Sequence, residues 1–131
     1  MKKTLFTLFT LLSFASFAQT DSTAVDTAYL NKLAKERIDT IYAKLMRGED
    51  FAKLANTYSE DPGSNKTGGA YEGFFTRGAL VPEFEKIIFE LKVGETSKPF
   101  KTKYGWHVAQ LVERKGNEVK FRHILISTPQ E

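Results

Sequence analysis

Two histidines, His107 and His123, and no cysteine bound the chemistry open to this 131-residue chain. Without thiols there is no cysteine nucleophile, no thiolate metal site and no disulfide, so stability must come from packing. Two histidines alone argue against a metal enzyme, and no serine–histidine–acid arrangement stands out for a hydrolase. The other polar candidate is Asp61, inside the stretch YSEDPGSNKTGGAYEGFFTRGALVPEF from Tyr58 to Phe84. There Asp61-Pro62-Gly63-Ser64, then Gly68, Gly69 and Gly73, bend a long loop into the aromatic pair Phe74-Phe75. Arg77-Gly78 makes a second turn before a helix that starts at Pro82, a residue favoured in a first helical turn. Long loops inside compact domains are uncommon and, when ordered, usually functional. Asp61 also has a plain structural reading, as the residue that starts a turn through its own side chain. Asn65-Lys66-Thr67 matches a glycosylation acceptor, a weak signal on its own.

The elements that must position these residues begin after a leader. Lys2 and Lys3, an apolar run from Leu5 to Phe17, and small residues at Ser16 and Ala18 read as a signal peptide over residues 1–18. The run is shorter than the roughly 20 residues a membrane span needs, so the mature chain is expected to be exported without stable membrane insertion. The 19 basic residues against 16 acidic ones include both leader lysines; so small a surplus supports no nucleic-acid reading. Residues 19–29 read as a flexible lead-in and 30–126 as one domain.

Helical periodicity runs from Asp21 to Arg47, with Leu30, Ala34, Ile38, Ile41 and Leu45 on one stripe and Gly48 as a C-terminal cap. Asp50 caps a short second helix that buries Phe51, Leu54, Ala55 and Tyr58. Pro82 to Leu91 forms a third, burying Phe84, Ile87, Ile88 and Leu91. The period then changes to that of strands: Lys98 to Thr102, with Pro99 arguing for an edge, Trp106 to Arg114, and Val119 to Ile126. In the second of these both faces are partly apolar, as in a strand covered on each side.

GEDFAKLANTYSEDPGS, then GG, FFTRG and LVPEFEKIIFELKVGETSKPFKTKYGWHV, resembles the parvulin family of peptidyl-prolyl cis/trans isomerases, closest to SurA-type periplasmic chaperone-isomerases. The resemblance covers roughly residues 38–114. It implies an α+β, FKBP-like domain: a four-stranded antiparallel sheet surrounded by helices, with no metal and no cofactor. It implies that Leu80 and Phe84 floor a proline pocket and that Phe75 stands at its wall. Asp61 falls beside the rotating bond, His107 matches one of the family's two histidines, and Thr102 is a hydroxyl behind it. Arg77 is a candidate either for contact with a substrate carbonyl or for pinning Asp61 or a loop carbonyl.

Two departures from the family pattern matter. The loop Gly69-Ala70-Tyr71-Glu72-Gly73 carries one extra residue. The family's opening strand, which bears its other histidine, is missing before the first helix, while Phe121-Arg122-His123-Ile124-Leu125-Ile126 stands near residue 131. Two readings stay open: residues 119–131 start a second parvulin domain, or they supply the missing first strand to this one. In the second reading a three-residue loop, Arg114-Lys115-Gly116, pairs Glu113 with Asn117 and sets His107 opposite His123, Cβ atoms about 4.5–5.5 Å apart. A two-residue loop, Gly116-Asn117, sends the histidines to opposite faces. A terminal strand of this kind also allows strand exchange between protomers.

The resulting expectation is an exported isomerase, periplasmic or secreted, that acts on proline-containing unfolded polypeptides. The rival is a non-catalytic chaperone module that holds such segments in the same groove.

Overall fold

The computed structural model describes residues 22–130, so the leader assigned to residues 1–18 lies outside the described residues. Three helices, α1 (Ser22–Met46), α2 (Phe51–Tyr58) and α3 (Pro82–Glu90), precede three strands, β1 (Phe100–Thr102), β2 (Gly105–Lys115) and β3 (Glu118–Ser127). Residues 22–29, read as a flexible lead-in, are the first turns of α1. Asp50 caps α2 as expected, its side chain accepting from the Lys53 N–H at 2.9 Å. Among the described residues no helix is long and apolar enough to cross a membrane.

The sheet has three strands, order β1-β2-β3, where the resemblance implied four. The outer edge of β3 is instead covered by two isolated bridges, Ala70 with Arg122 and Phe75 with Val119. Strand β3 pairs antiparallel with β2 and so occupies the place proposed for a strand supplied from the C-terminal side.

The sheet is covered on both faces. On one, α1 and α2 bury Ala34, Ile38, Ile41, Phe51 and Leu54 against Val108, Ile124 and Ile126. On the other, α3 lays Phe84, Ile88 and Phe89 against Ala109, Leu111, Val119 and Phe121. Two stripe residues fall outside this scheme. Leu30 is 46% exposed because it precedes the part of α1 that meets the sheet, and Tyr58 is exposed at the end of α2.

The β2–β3 turn is not the three-residue loop. Lys115 pairs with Glu118, which leaves the two-residue loop Gly116-Asn117, with Gly116 at φ +59 and no positive φ at Asn117. Those signs are the ones a II′ hairpin turn requires. On its own this turn would send His107 and His123 to opposite faces. A register shift between Leu111 and Glu113 restores the parity: Glu113 faces Lys120, Leu111 faces Phe121, and Val112 is the surplus residue of a bulge. Ala109 is therefore opposite His123 and Leu125 opposite His107. The histidines sit on one face, diagonal to each other.

Gly69 fixes the other side of the site. Its φ is +85, and a Cβ there would be driven into the carbonyl oxygen of His123. Its own carbonyl accepts the His123 N–H at 2.9 Å. Gly73 shares the φ of +85 but has open space around it. We expect Gly73→Ala to cost only the left-handed penalty of about 1–2 kcal/mol. Gly69→Ala should cost clearly more in urea denaturation, because the backbone must also move; equal losses would show that the approach to His123 is not tight.

Candidate active site

A single chain of hydrogen bonds crosses the face of the sheet that α3 covers. Asp61 Oδ2 and His123 Nε2 are 2.7 Å apart. Nδ1 of His123 meets Nδ1 of His107 at 3.2 Å, and Nε2 of His107 meets Thr102 Oγ1 at 2.7 Å. The Tyr104 N–H closes the far end on Thr102 Oγ1 at 3.1 Å. A carboxylate only accepts, so His123 carries a proton on Nε2. With one proton on each ring the order is then unique: Thr102 O–H donates to His107, His107 Nδ1–H to His123, and His123 to Asp61.

Asp61 is the anchored end. Ser64 Oγ donates to Oδ2 at 2.6 Å, the Tyr71 hydroxyl donates to the same oxygen, and the Gly63 N–H donates to Oδ1 at 3.0 Å. One Asp61 oxygen thus holds the turn through the Gly63 N–H while the other meets His123. These donors, led by His123, hold its carboxyl far below the ordinary carboxylate range despite burial. His107 moves down to about 3, chiefly through burial and secondarily through the neighbouring imidazole, so it is neutral at physiological pH. The two imidazole planes lie within 18° of each other, edge to edge across their hydrogen bond, His107 stacks on Phe100, and the Phe84 ring stands edge-on to both.

Against this wall lies a cavity of about 470 Å³. Phe75, Leu80, Val81, Phe84 and Phe121 give it an apolar lining, with Asp61, Tyr71, His107 and His123 on the polar side. Of the residues singled out in the sequence, the structure gathers Asp61, Phe75, Leu80, Phe84, His107 and His123 here. Thr102 is buried behind His107, one ring away from the cavity. Arg77 is not brought in: its guanidinium lies 4.2 Å from the centroid of Phe89, where the flat cation finds an aromatic face. Tyr71, Ser64, Tyr104 and Phe121 were missed by sequence reasoning. Only Tyr71 had a signal, its place in the lengthened glycine loop.

The PPIC-type PPIASE domain, as a family, matches residues 12–115. The chain belongs to this family. The foldase protein PrsA of Geobacillus kaustophilus is 49% identical over 83 residues, 63% of this chain and 28% of that protein. The chaperone SurA of Pseudomonas savastanoi is 45% identical over 84 residues, 64% of this chain and 19% of that protein. The crystal structure of the peptidylprolyl isomerase PrsA from Bacillus cereus superposes with a TM-score of 0.57 at 45% identity, over 66% of this chain and 32% of that one. The chain thus spans less than a third of the length of these relatives. The family match ends at residue 115, before β3, so His123 and Phe121 lie beyond it.

The buried relay makes stability acid-sensitive. Unfolded, His107 takes up its proton near 6.5, whereas folded it does so only near 3. The unfolded state binds more protons between those values, so stability is intact above the upper one and lost as pH falls toward the lower. Asp61 shifts the same way and adds its loss below 3.8. Acidification from the histidine range to about pH 4 should remove about 3 kcal/mol of unfolding free energy. Urea titrations at stepped pH measure this. His107→Gln should flatten the slope, and a flat wild-type profile would refute the assignment.

Proposed function

We propose that this domain is an exported peptidyl-prolyl cis/trans isomerase acting on proline-containing unfolded polypeptides. The observation that carries the reading is the juxtaposition of an apolar cavity, lined by Leu80, Phe84 and Phe75, with the buried relay of Asp61, His123, His107 and Thr102. Membership of the isomerase family supports it, as do relatives named foldase and chaperone. Export rests on the leader-like residues 1–18.

Rotation about an Xaa-Pro bond must break amide resonance, worth about 18–20 kcal/mol at the barrier. No covalent step is needed; the protein has to bind the twisted amide better than either planar form. The apolar floor grips the pyrrolidine ring and excludes water. The relay presents a rigid wall in which Thr102 and His107 act as positioning residues, and His123 and Asp61 hold the polar lip. Because His107 is neutral, its ring offers no cation that would draw charge onto the carbonyl oxygen and stiffen the planar amide.

A protease-coupled assay with Xaa-Pro peptides tests this. Wild-type protein should accelerate isomerisation. Asp61→Asn, which keeps the shape of the side chain, should lower kcat/KM by roughly tenfold to a hundredfold. Leu80→Ala should act mainly through weaker peptide binding. Peptide binding without any acceleration would instead identify a holding module.

A further inference from the structure

Tyr71 lies outside the row from Asp61 to Thr102, yet its hydroxyl donates to the Asp61 carboxylate at the end of it. The loop between the two bridges to β3 runs from Ala70 to Phe75 while the strand runs only from Arg122 back to Val119. The surplus bows outward and turns Tyr71 onto the cavity, its ring 5.8 Å from His123 and 6.1 Å from Phe121. Gly63 leaves room for it: a Cβ there would meet Tyr71 Cε1 and Oη at 3.0 Å. Burial, and then the neighbouring Asp61, push the phenol up to about 12, so it stays a donor at every working pH.

The other polar groups at the cavity are engaged. Both nitrogens of His107 and both of His123 point into the relay, which leaves neither ring an N–H for a substrate. Asp61 accepts from Ser64, His123 and Gly63 even without the phenol. The Tyr71 O–H is the donor that can leave its partner without orphaning it. Tyr104, the other hydroxyl-bearing side chain at the cavity, is 46% exposed, with Lys103 over its ring.

We propose that Tyr71 is a catalytic residue whose O–H leaves Asp61 and donates a hydrogen bond to the prolyl nitrogen of the bound Xaa-Pro bond as it twists. The inference rests on the isomerase reading above. In the planar amide the nitrogen lone pair is delocalised into the carbonyl; in the twisted amide it returns to nitrogen. A donor aimed at nitrogen is therefore matched to the transition state and not to either ground state. No covalent bond forms, and the proton stays on the phenol.

Tyr71→Phe keeps the ring and its packing, and wild-type and variant protein are compared in the protease-coupled assay. One hydrogen bond present only in the transition state predicts a fall in kcat of roughly tenfold. Peptide affinity and the imidazole nitrogen signals in NMR should be unchanged. An unchanged kcat overturns the proposal, as does a fall accompanied by displaced imidazole signals, which would make Tyr71 only a holder of Asp61. Should the variant not fold, difluorotyrosine at position 71 decides: a stronger donor should raise kcat, and an unaltered rate overturns the proposal. Wild-type protein without turnover overturns the isomerase reading and this proposal with it; turnover in wild type with an equally active Tyr71→Phe overturns this proposal alone.

Discussion

The register between β2 and β3 is the constraint on which the rest of the site depends. With Ala109 opposite His123, the two imidazoles fall on one face and within hydrogen-bonding distance. A slip of one residue would bury one ring among Val108, Ile124 and Ile126 and leave the other facing α3 alone. Side chains alternate strictly along a strand, so the same register decides which apolar residues meet α1 and which meet α3. Packing on both faces therefore enforces the alignment that the chemistry needs.

That alignment is costly to maintain, since it puts two imidazoles, a carboxylate and a hydroxyl out of water. The cost is offset because every nitrogen and oxygen in the row finds a partner. Asp61 ends the row with an ionised group held by several donors, and the backbone N–H of Tyr104 ends the other. Around them, Phe84, Phe100 and Phe121 exclude solvent. A buried polar network is tolerable only when every member is satisfied, and a satisfied one fixes a single arrangement. The cavity thus borders a surface that is polar in composition but already hydrogen-bonded within itself.

Much of this was legible in the sequence, and the exceptions have physical causes. The stripe of Ala34, Ile38 and Ile41, the cap at Asp50 and the start of α3 at Pro82 are local signals and stand where periodicity put them. Asp61, Leu80, Phe84, His107 and His123 were recognisable as site candidates through family motifs. The turn was misjudged because Gly116 suits a two-residue loop as well as a three-residue one. The bulge at Val112 leaves no mark in side-chain type, since an extra β-branched residue in a strand looks like any other. Arg77 went to Phe89 because an aromatic face presented by the far end of the next helix is invisible to a linear reading. Tyr71 shows the limit most clearly: a lengthened loop announces itself in sequence, but not the direction in which its side chains turn.

The contact between Asp61 and His123 joins positions 62 residues apart along the chain. Such a closure is entropically expensive and is made late, after local helices have formed and the intervening polymer has been delivered. During synthesis, α1, α2 and α3 emerge from the ribosome before any of β3 does. Until that strand docks, Phe84, Ile88 and Val108 lack the cover that Phe121, Ile124 and Ile126 supply, and the nascent chain is itself an unfolded polypeptide with exposed apolar surface. For that interval the domain displays the very surface that its finished fold conceals.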